Sequence, residues 1–458
     1  MDIENAVQEA RRLGASYAEA RHETVEENRL QMQDGELRGL VAGTTEGFGL
    51  RVLVNGAWGM ASSNDLATMG AAVRDAVGMA RAVASQGRPP VRLADVPALR
   101  ANVTWAPKID PRKIAPEEKI SVLRHLDSTI RAVPGIGNVT AAATDATVTK
   151  HLVTSDGTDL RWSLVRTVVQ SHFTAKGDGQ LAGRSSRIGG TAGWEILQGE
   201  DPAEKAKKAA QAAVAALGAP AAKGGRRTVV IDHELAGVFA HEAVGHASEA
   251  DLITAGESCF KGRMGQKLGI DGLAIRDDST IPGAFGSFPF DDSGVAGASK
   301  PILDNGVLVG YLADRENGAE LGVRPNGAAR AQDYGSRPLV RMSNTMIAPG
   351  SHSEEEVFAG IKDGIYCKGS RGGQVDCARG TFLFNAQEAY RIEDGVVTTP
   401  LRDVSLTGDI LSTLTHITAL GNRARMGDPG YCGKGQWVPV CDGGPLVRIA
   451  DCLVGGTA

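Results

Sequence analysis

Two histidines and a glutamate lie close together in the segment His241-Glu242-Ala243-Val244-Gly245-His246. A His-Glu pair on a helix, with a second histidine about one turn later, is typical of zinc hydrolases. In such sites the metal lowers the pKa of a bound water and polarises a carbonyl, while the glutamate acts as general base. The segment therefore indicates a metal-dependent hydrolysis site with His241 and His246 as ligands and Glu242 as the catalytic carboxylate.

The spacing of the two histidines predicts a distorted helix. Around an α-helix, residues i and i+4 are roughly 40° apart, whereas residues i and i+5 are roughly 140° apart. His241 and His246 are i and i+5, so a regular helix would direct them to different faces. A π-type turn realigns such residues, and Gly245 would lower the cost of that distortion. We therefore expect the helix to be widened or broken near Gly245.

A catalytic zinc site needs a third protein ligand. Cys432 is a candidate because it lies among glycines in residues 429–436, which predict a tight loop, and because Lys434 would lower the pKa of its thiol. Spacing alone leaves three rivals: Cys259, Glu249 and Asp251.

The elements around the histidine segment predict how it is positioned. An apolar, β-branched run at residues 228–231 predicts a strand that leads directly into the helix. Further along, glycine-rich sequence with short apolar runs predicts a mostly antiparallel, curved sheet around the site. One long helix is expected at residues 405–421. A Gly/Ala/Pro-rich stretch at residues 218–225 is typical of a domain boundary.

The residues before that boundary predict helices packed on antiparallel strands. An amphipathic helix at residues 3–14 precedes several strand-like segments, and Asn55-Gly56 predicts a hairpin turn. Residues 86–112 carry five prolines and predict a linker or an extended edge. We therefore predict an α+β fold class with two domains. These are an N-terminal α+β domain (1–222), divided near 86–112, and a C-terminal β-rich domain (226–458) that carries the metal-binding helix.

Composition excludes several classes of protein. Of the 458 residues, 42% are hydrophobic and 22% charged, which is typical of a globular protein. The net charge of −5 gives no basis for binding nucleic acid or an anionic membrane. The sequence begins without a signal-peptide pattern, and no apolar run is long enough to span a membrane. Six cysteines in such a chain indicate reduced thiols or metal ligands, so we expect a cytoplasmic protein.

These motifs together resemble the TldD/PmbA family. The segment from His241 to His246 resembles its His-Glu-x-x-x-His motif, and residues 429–436 together with the ending at 453–458 resemble its C-terminal signature. Residues 15–21 and 47–53 are similar to its N-terminal domain. The resemblance therefore extends over nearly the whole chain.

The resemblance implies a zinc metallopeptidase that cuts unfolded or small peptides. It implies that His241, His246 and Cys432 hold the zinc and that Glu242 is the catalytic carboxylate. The family's inactive companion subunit lacks these residues, whereas this chain keeps them all, so it is similar to the active member. Family members form dimers, which implies a homodimer or a heterodimer with a TldE/PmbA-like inactive relative, with the peptide held in extended form.

Two other classes of function compete with a peptidase. A non-catalytic structural or chaperone-like partner would use zinc only to brace its fold. A redox protein acting through Cys432 would need a resolving thiol, and the sequence contains no Cys-x-x-Cys. Motifs do not identify the groups that would stabilise an oxyanion; the candidates are Arg330, Tyr334 and His416.

Overall fold

A computed structural model of the chain describes residues 1–87, 89–177 and 179–456. They form the α+β fold that the sequence predicts, with mostly antiparallel sheets covered by helices. Residues 457 and 458 lie outside the described residues. They are the last two residues of the predicted C-terminal domain and of the segment 453–458.

The first sheet contains seven strands. They are β1 (Tyr17–Gln33), β2 (Glu36–Val54), β3 (Ala57–Ser63), β4 (Arg100–Trp105), β5 (Ile136–Thr154), β6 (Asp159–Gly177) and β7 (Gln180–Gly190). Their order across the sheet is β3-β2-β1-β5-β6-β4, with β7 also paired to β6. The predicted hairpin at Asn55-Gly56 is confirmed, since Val54 pairs with Ala57 across it.

Helices cover this sheet. The helical segments of this part are α1 (Ile3–Arg12), a 3-10 turn (Leu66–Thr68), α2 (Met69–Ala84), a 3-10 turn (Pro111–Lys113), α3 (Pro116–Arg131), α4 (Ile196–Gly199) and α5 (Pro202–Leu217). Buried apolar side chains of α1 and α2 pack with those of β1 and β2, while α3 and α5 pack on β5 and β6. The amphipathic helix predicted at residues 3–14 is confirmed and ends at Arg12.

Several strands of this half are long, and the proline-rich stretch lies at the edge of the sheet. β1, β2 and β5 are 17 to 19 residues long and pair with their neighbours along nearly their whole length. The proline-rich stretch at 86–112, predicted as a linker or an extended edge, contains β4, which pairs in parallel with β6 at the edge of the sheet, so the extended edge is confirmed for residues 100–105. Its prolines flank the strand and do not interrupt it, so they remove no hydrogen bond from the ladder.

The second half of the chain is built mainly from short strands. They are β8 (Gly225–Ile231), β9 (Ile275–Asp278), β10 (Ser299–Asp304), β11 (Val307–Leu308), β12 (Ala329–Arg330), β13 (Leu339–Val340), β14 (Asn344–Ile347), β15 (Asp363–Asp376), β16 (Thr381–Glu393), β17 (Val396–Leu401), β18 (Ser405–Asp409), β19 (Ile417–Leu420), β20 (Arg425–Met426), β21 (Gly430–Gly433), β22 (Trp437–Gly444) and β23 (Val447–Gly455). The helical segments are α6 (His233–Phe239), a π-helical segment (Ala240–Gly245), a 3-10 turn (His246–Ser248), α7 (Ala250–Ala255), α8 (Arg315–Leu321), α9 (Glu354–Phe358) and α10 (Ile410–Thr415).

Two larger sheets enclose α6 and the π-helical segment. One has the order β15-β8-β23-β18-β16-β17, and β15 also pairs with β16, so five of its strands form a closed ring. The other has the order β11-β10-β9-β14-β22-β20, with β21 paired to β22. Phe239 of α6 packs edge-on against Phe382 and Phe384 of β16. The helix that carries the histidines is therefore anchored in a buried aromatic cluster.

The prediction of one long helix at residues 405–421 is wrong. This stretch forms β18, the short helix α10 and β19, and both strands pair with the C-terminal strand β23. Asp409 caps α10 by accepting a hydrogen bond from Ser412 N at 2.8 Å. Several β-branched residues in the stretch favour strand over helix, and β23 supplies the distant partner.

A buried ion cluster joins the first sheet to the second half of the chain. Lys150 Nζ lies 2.7 Å from Asp292 Oδ1, and Arg21 Nη1 lies 3.5 Å from the same oxygen. Burial would raise the pKa of Asp292, but Lys150 and Arg21 outweigh burial and lower it. Among the described residues, none of the helices is long and apolar enough to cross a membrane.

Candidate metal centre

The histidine segment follows directly from β8. Asp232 follows β8 and caps α6, since its Oδ1 accepts a hydrogen bond from Leu235 N at 2.9 Å. The helix then widens to a π-helix over Ala240–Gly245 and tightens to a 3-10 turn at His246–Ser248. The predicted widening near Gly245 is thus confirmed, and it brings the two imidazole rings to 5.3 Å between centroids.

Gly245 has a different role from the one the sequence predicts. Its backbone has ordinary helical angles, φ −58° and ψ −59°, which need no glycine. A Cβ at this position would lie 2.1 Å from Sδ of Met342, which is buried. Glycine is therefore required for the close approach of this helix to Met342.

Cys432 reaches the histidines from the other side of the site. It lies on β21, which pairs with β22 in a hairpin, so the predicted tight loop at 429–436 is in part a strand. Its Sγ is 3.3 Å from Nε2 of His246. One nitrogen from each histidine and this sulfur all lie within 4.8 Å of one another. The structure therefore brings together the three ligands that the resemblance implied.

Glu242 lies beside this donor group and faces open space. Its Oε2 is 3.8 Å from Nε2 of His246, and its side chain is 25% exposed. It lines a cavity of about 1040 Å³ together with the three donors. A carboxylate in this position can exchange protons with a molecule in the cavity.

The donor group is strongly polarised. Burial would raise the pKa of the Cys432 thiol, but His241 and His246 outweigh burial and lower it to about 4. Burial would likewise lower the pKa of His241, but Cys432 and then Glu242 raise it to about 9. The pKa of His246 is raised well above its usual value because Glu249 and Cys432 outweigh burial. The cysteine is thus held as a thiolate, the form that binds metals.

Glu249 and Lys434 hold His246 in place. Glu249 is fully buried, and its Oε2 lies 2.9 Å from Nδ1 of His246 and 3.1 Å from Nζ of Lys434. Lys434 also contacts Asp251 at 2.7 Å. A carboxylate on the far nitrogen of a metal-binding histidine fixes its orientation and tautomer. The sequence analysis considered Glu249 only as a ligand; its place three residues after His246, on one helical face, was the signal for this role.

The structure does not bring the rival third ligands into the donor group. Glu249 is engaged with Nδ1 of His246, and Asp251 is engaged with Lys434. Cys259 donates its backbone N–H to Cys377 O at 2.7 Å, and burial and then Asp409 raise the pKa of its thiol to about 11.

The donors present fit a zinc ion. Two imidazoles and a thiolate, with space for a fourth ligand, match the donor types and number of a catalytic zinc site. Nδ1 of His241 is buried and has no hydrogen-bond partner in the described part of the chain. Buried polar atoms without partners are rare, and a metal bound at this nitrogen would supply the missing partner.

One further donor group occurs among the described residues, formed by Glu4, His151 and Asp159. Nε2 of His151 lies 2.8 Å from Asp159 and 3.6 Å from Glu4, and Arg161 also pairs with Glu4. These contacts form a partly exposed ion-pair network that needs no metal.

None of the three candidates for oxyanion stabilisation is among the residues that line the cavity around Glu242. Arg330 is buried and donates to Met342 O, while the ring of Tyr334 lies against Gly47 of β2. His416 lies at the end of α10, where its Nδ1 is 3.5 Å from Ser412 Oγ.

Comparisons with known proteins assign the chain to a class and then to a family. It is 39% identical to a metalloprotease of Methanothermobacter thermautotrophicus over 100% of this chain and 97% of that protein. It is 30% identical to a zinc metalloprotease TldD homolog of Saccharolobus solfataricus, over 98% of this chain and 99% of that protein. Both relatives are metalloproteases by name, so the class of protein that the chain resembles is that of the metalloproteases.

Family models match nearly the whole chain. Those described as PmbA/TldA metallopeptidase domain 1, central domain and C-terminal domain match residues 18–84, 109–217 and 224–456. The chain belongs to the PmbA/TldD metallopeptidase family. The crystal structure of TldE from Thermococcus kodakarensis has the same fold, with a TM-score of 0.79 at 16% identity, covering 99% of each chain.

Proposed function

We propose that the chain is a zinc-dependent metallopeptidase that hydrolyses unfolded or small peptides. The position of Glu242 carries this proposal, because its carboxylate lies 3.8 Å from a donor nitrogen and lines the cavity. Family membership and the zinc in the name of the Saccharolobus solfataricus relative support it. The alternative, a non-catalytic partner braced by zinc, would not need a carboxylate open to the cavity at this place.

The chain's own residues supply the proton transfers. A zinc ion held by His241, His246 and Cys432 would polarise the peptide carbonyl and acidify a water. Glu242 accepts a proton from the attacking water and returns it to the leaving amine. Glu249 keeps Nδ1 of His246 engaged, so that Nε2 is directed toward the donor group.

The edge of β15 offers a place for an extended peptide. Pairing between β15 and β8 ends at Cys367, whereas pairing with β16 continues to Asp376. Residues 372–376 therefore have one edge without a partner strand in the described part of the chain, and they line the cavity with Glu242. Strand addition at such an edge binds mainly backbone, so it tolerates many sequences and excludes folded proteins. Digesting one protein in native and in unfolded form tests this; equal rates would contradict it.

Replacing Glu242 separates the peptidase from the non-catalytic alternative. Glu242→Ala should keep the fold and the zinc but lower peptide cleavage by at least about 10²-fold, the scale of general acid–base catalysis. Glu257→Ala is the matched control, since Glu257 lines the same cavity but is not part of the donor group. Full activity of Glu242→Ala would rule out its role as general base.

Replacing Cys432 tests the ligand set. Cys432→Ser should lose most of its zinc in metal analysis, because a serine hydroxyl is a much poorer zinc ligand than a thiolate. Cys441→Ser is the control: this buried thiol on β22 lies 3.3 Å from Gly427 O and outside the donor group. Unchanged zinc content in Cys432→Ser would return the third position to Cys259, Glu249 or Asp251.

The proposal includes a dimer, formed with a second copy or with an inactive relative of the TldE type. Three apolar residues on the hairpin formed by β1 and β2 are largely exposed: Leu37, Leu40 and Val41. Exposed apolar side chains are one feature of protein interfaces. The mass of the purified chain in solution, alone and with a co-expressed relative, tests both forms. The two-domain division and the cytoplasmic location stay predictions of the sequence.

A further inference from the structure

Two cavities meet at Glu242 and form one cleft. The larger, about 1040 Å³, surrounds the donor group, and the second, about 640 Å³, extends toward the first sheet. Glu242, Tyr431 and Asp442 line both. If the chain is a peptidase, as proposed above, a peptide cleaved at Glu242 therefore has space for its residues in both cavities.

The second cavity has a basic wall. Arg184 and Arg187 reach it from β7, Arg371 from β15 and His172 from β6. Burial lowers the pKa of His172, and the positive charge of Arg187 lowers it further. Burial also lowers the pKa of Arg184, and Arg371 adds to this effect. Like charges are thus held close together on one wall.

These arginines lack anionic partners in the described part of the chain. Nε of Arg184 and Nε of Arg187 are buried and have no hydrogen-bond partner there. Arg184 donates only to the backbone oxygen of Gly183, and Arg371 only to that of Ala386. A guanidinium group has five donors, so most of their hydrogen-bonding capacity is unused.

The neighbouring carboxylates are engaged elsewhere or uncharged. Asp428, in the same cavity, pairs with Lys205 at 2.7 Å. Burial and then Asp428 raise the pKa of Glu234 to about 8, so this carboxyl group is mostly neutral at pH 7. In the adjoining cavity on the far side of Arg184, Asp403 pairs with Arg402 at 3.0 Å. Glu388 also acts on Arg184 from that cavity, but it accepts a hydrogen bond from Tyr390 at 2.8 Å and lies 3.6 Å from Lys368. The positive charge of the wall is therefore only partly compensated.

We propose that Arg184, Arg187 and Arg371 form a carboxylate-binding subsite, which selects peptides carrying a negative charge on one side of the cleaved bond. The planar guanidinium fork matches a carboxylate through two parallel hydrogen bonds. The charge has two sources in a peptide, an acidic side chain or the free C-terminus. A subsite of this kind adds charge selectivity to a peptide otherwise held through its backbone.

Two series of peptides with one unstructured core sequence test the subsite. The first compares a free C-terminal carboxylate with a C-terminal amide. The second keeps the amide and places a single Asp or Asn at successive positions. Whichever series shows a preference identifies the source of the charge, and the position of the Asp gives its distance from the cleaved bond.

The enzymes compared are wild type, Arg187→Gln, Arg187→Lys and Arg371→Gln. Arg12→Gln is the matched control, because Arg12 lies on α1 with its side chain 72% exposed. We expect wild type to favour the charged peptide by about tenfold or more in kcat/KM, mainly through KM, as for one charge-assisted hydrogen bond. Arg187→Gln should bring the ratio close to one, Arg187→Lys should restore part of it, and Arg12→Gln should keep the ratio of wild type.

Binding of the same labelled peptides to Glu242→Ala separates this inference from the proposed function. If wild type cleaves no peptide, the proposed peptidase function fails. The subsite still stands if Glu242→Ala binds the charged peptide more tightly than the uncharged one and this preference is lost when Arg187→Gln is added. If peptides are cleaved without regard to charge, the subsite is refuted and the peptidase stands. An identical charge preference in Arg187→Gln, Arg371→Gln and Arg12→Gln would also refute it.

Discussion

Replacing Glu249 tests how the donor group is held before any metal binds. Its buried carboxylate contacts Nδ1 of His246 at 2.9 Å and Nζ of Lys434 at 3.1 Å. Burial would raise the pKa of Glu249, but His246 and Lys434 outweigh burial and lower it, so the group is charged at neutral pH. Glu249→Gln keeps the shape of the side chain and removes this charge.

The expected effect follows from the two contacts. Loss of the carboxylate behind a metal-binding histidine weakens metal affinity about 10–100-fold, or about 1.4–2.7 kcal/mol. A hydrogen bond to a charged group contributes about 1.5–3 kcal/mol, so the single contact with His246 accounts for this loss. The second contact costs less, because Lys434 keeps Asp251 at 2.7 Å. The metal-free variant should therefore lose about 1–3 kcal/mol of unfolding free energy.

Competition with a chromophoric chelator measures the zinc affinity, and urea titration of metal-free protein measures the stability. Asp251→Asn is the matched control, since Asp251 accepts hydrogen bonds from Lys434 and is not an ion-pair partner of His246 in the described residues. It should bind zinc almost as wild type does. If Glu249→Gln binds zinc as tightly as Asp251→Asn, Glu249 does not position His246 and the reasoning is refuted.

Two further predictions concern stability, both measured by urea titration. Gly245→Ala should lower the unfolding free energy by about 1–3 kcal/mol, because its Cβ would lie 2.1 Å from Sδ of buried Met342. Gly78→Ala, at an open position of α2, should raise the unfolding free energy by about 0.4–1 kcal/mol. Equal changes in unfolding free energy in the two variants would contradict the packing argument. Asp292→Asn should lower the unfolding free energy by about 1.5–3 kcal/mol at pH 7, because Lys150 loses the contact with Asp292 but keeps Glu23 at 3.0 Å. The folded-state pKa of Asp292 is lowered, so its contribution to stability is complete above the unfolded-state pKa of about 3.9 and disappears as the pH falls through the folded-state pKa. A difference in unfolding free energy between wild type and Asp292→Asn that stays constant below that pH would contradict this reasoning.

Local geometry made part of the site predictable. The i and i+5 spacing of His241 and His246 fixes their angle on a helix, so a shared site requires the widening that the structure has. The third donor was not decided by spacing, because Cys432 reaches the histidines only through the pairing of β21 with β22. Its choice from the sequence depended on the family resemblance.

Contacts between distant segments explain what the sequence missed. Residues 405–421 form strands because β23, at the end of the chain, pairs with both β18 and β19. The basic wall of the cleft combines β7 with β15, which are far apart in sequence and carry no local motif. Glycine at position 245 is explained by Met342, which no local pattern indicates. In each case the cause is a partner that periodicity and turn signals do not contain.

The surroundings of Cys432 bear on what a metal bound there would do. Arg341, buried in the structure, donates to the backbone oxygens of Cys432 and Gln436, and Lys434 donates to Val340 O at 3.2 Å. The hairpin is thus fixed by side chains of the protein, and the helix opposite is fixed by aromatic packing. A zinc ion that only braces a fold is needed where its ligands join segments that are otherwise loose. Here both segments are held without it, which favours a metal retained for its chemistry beside Glu242.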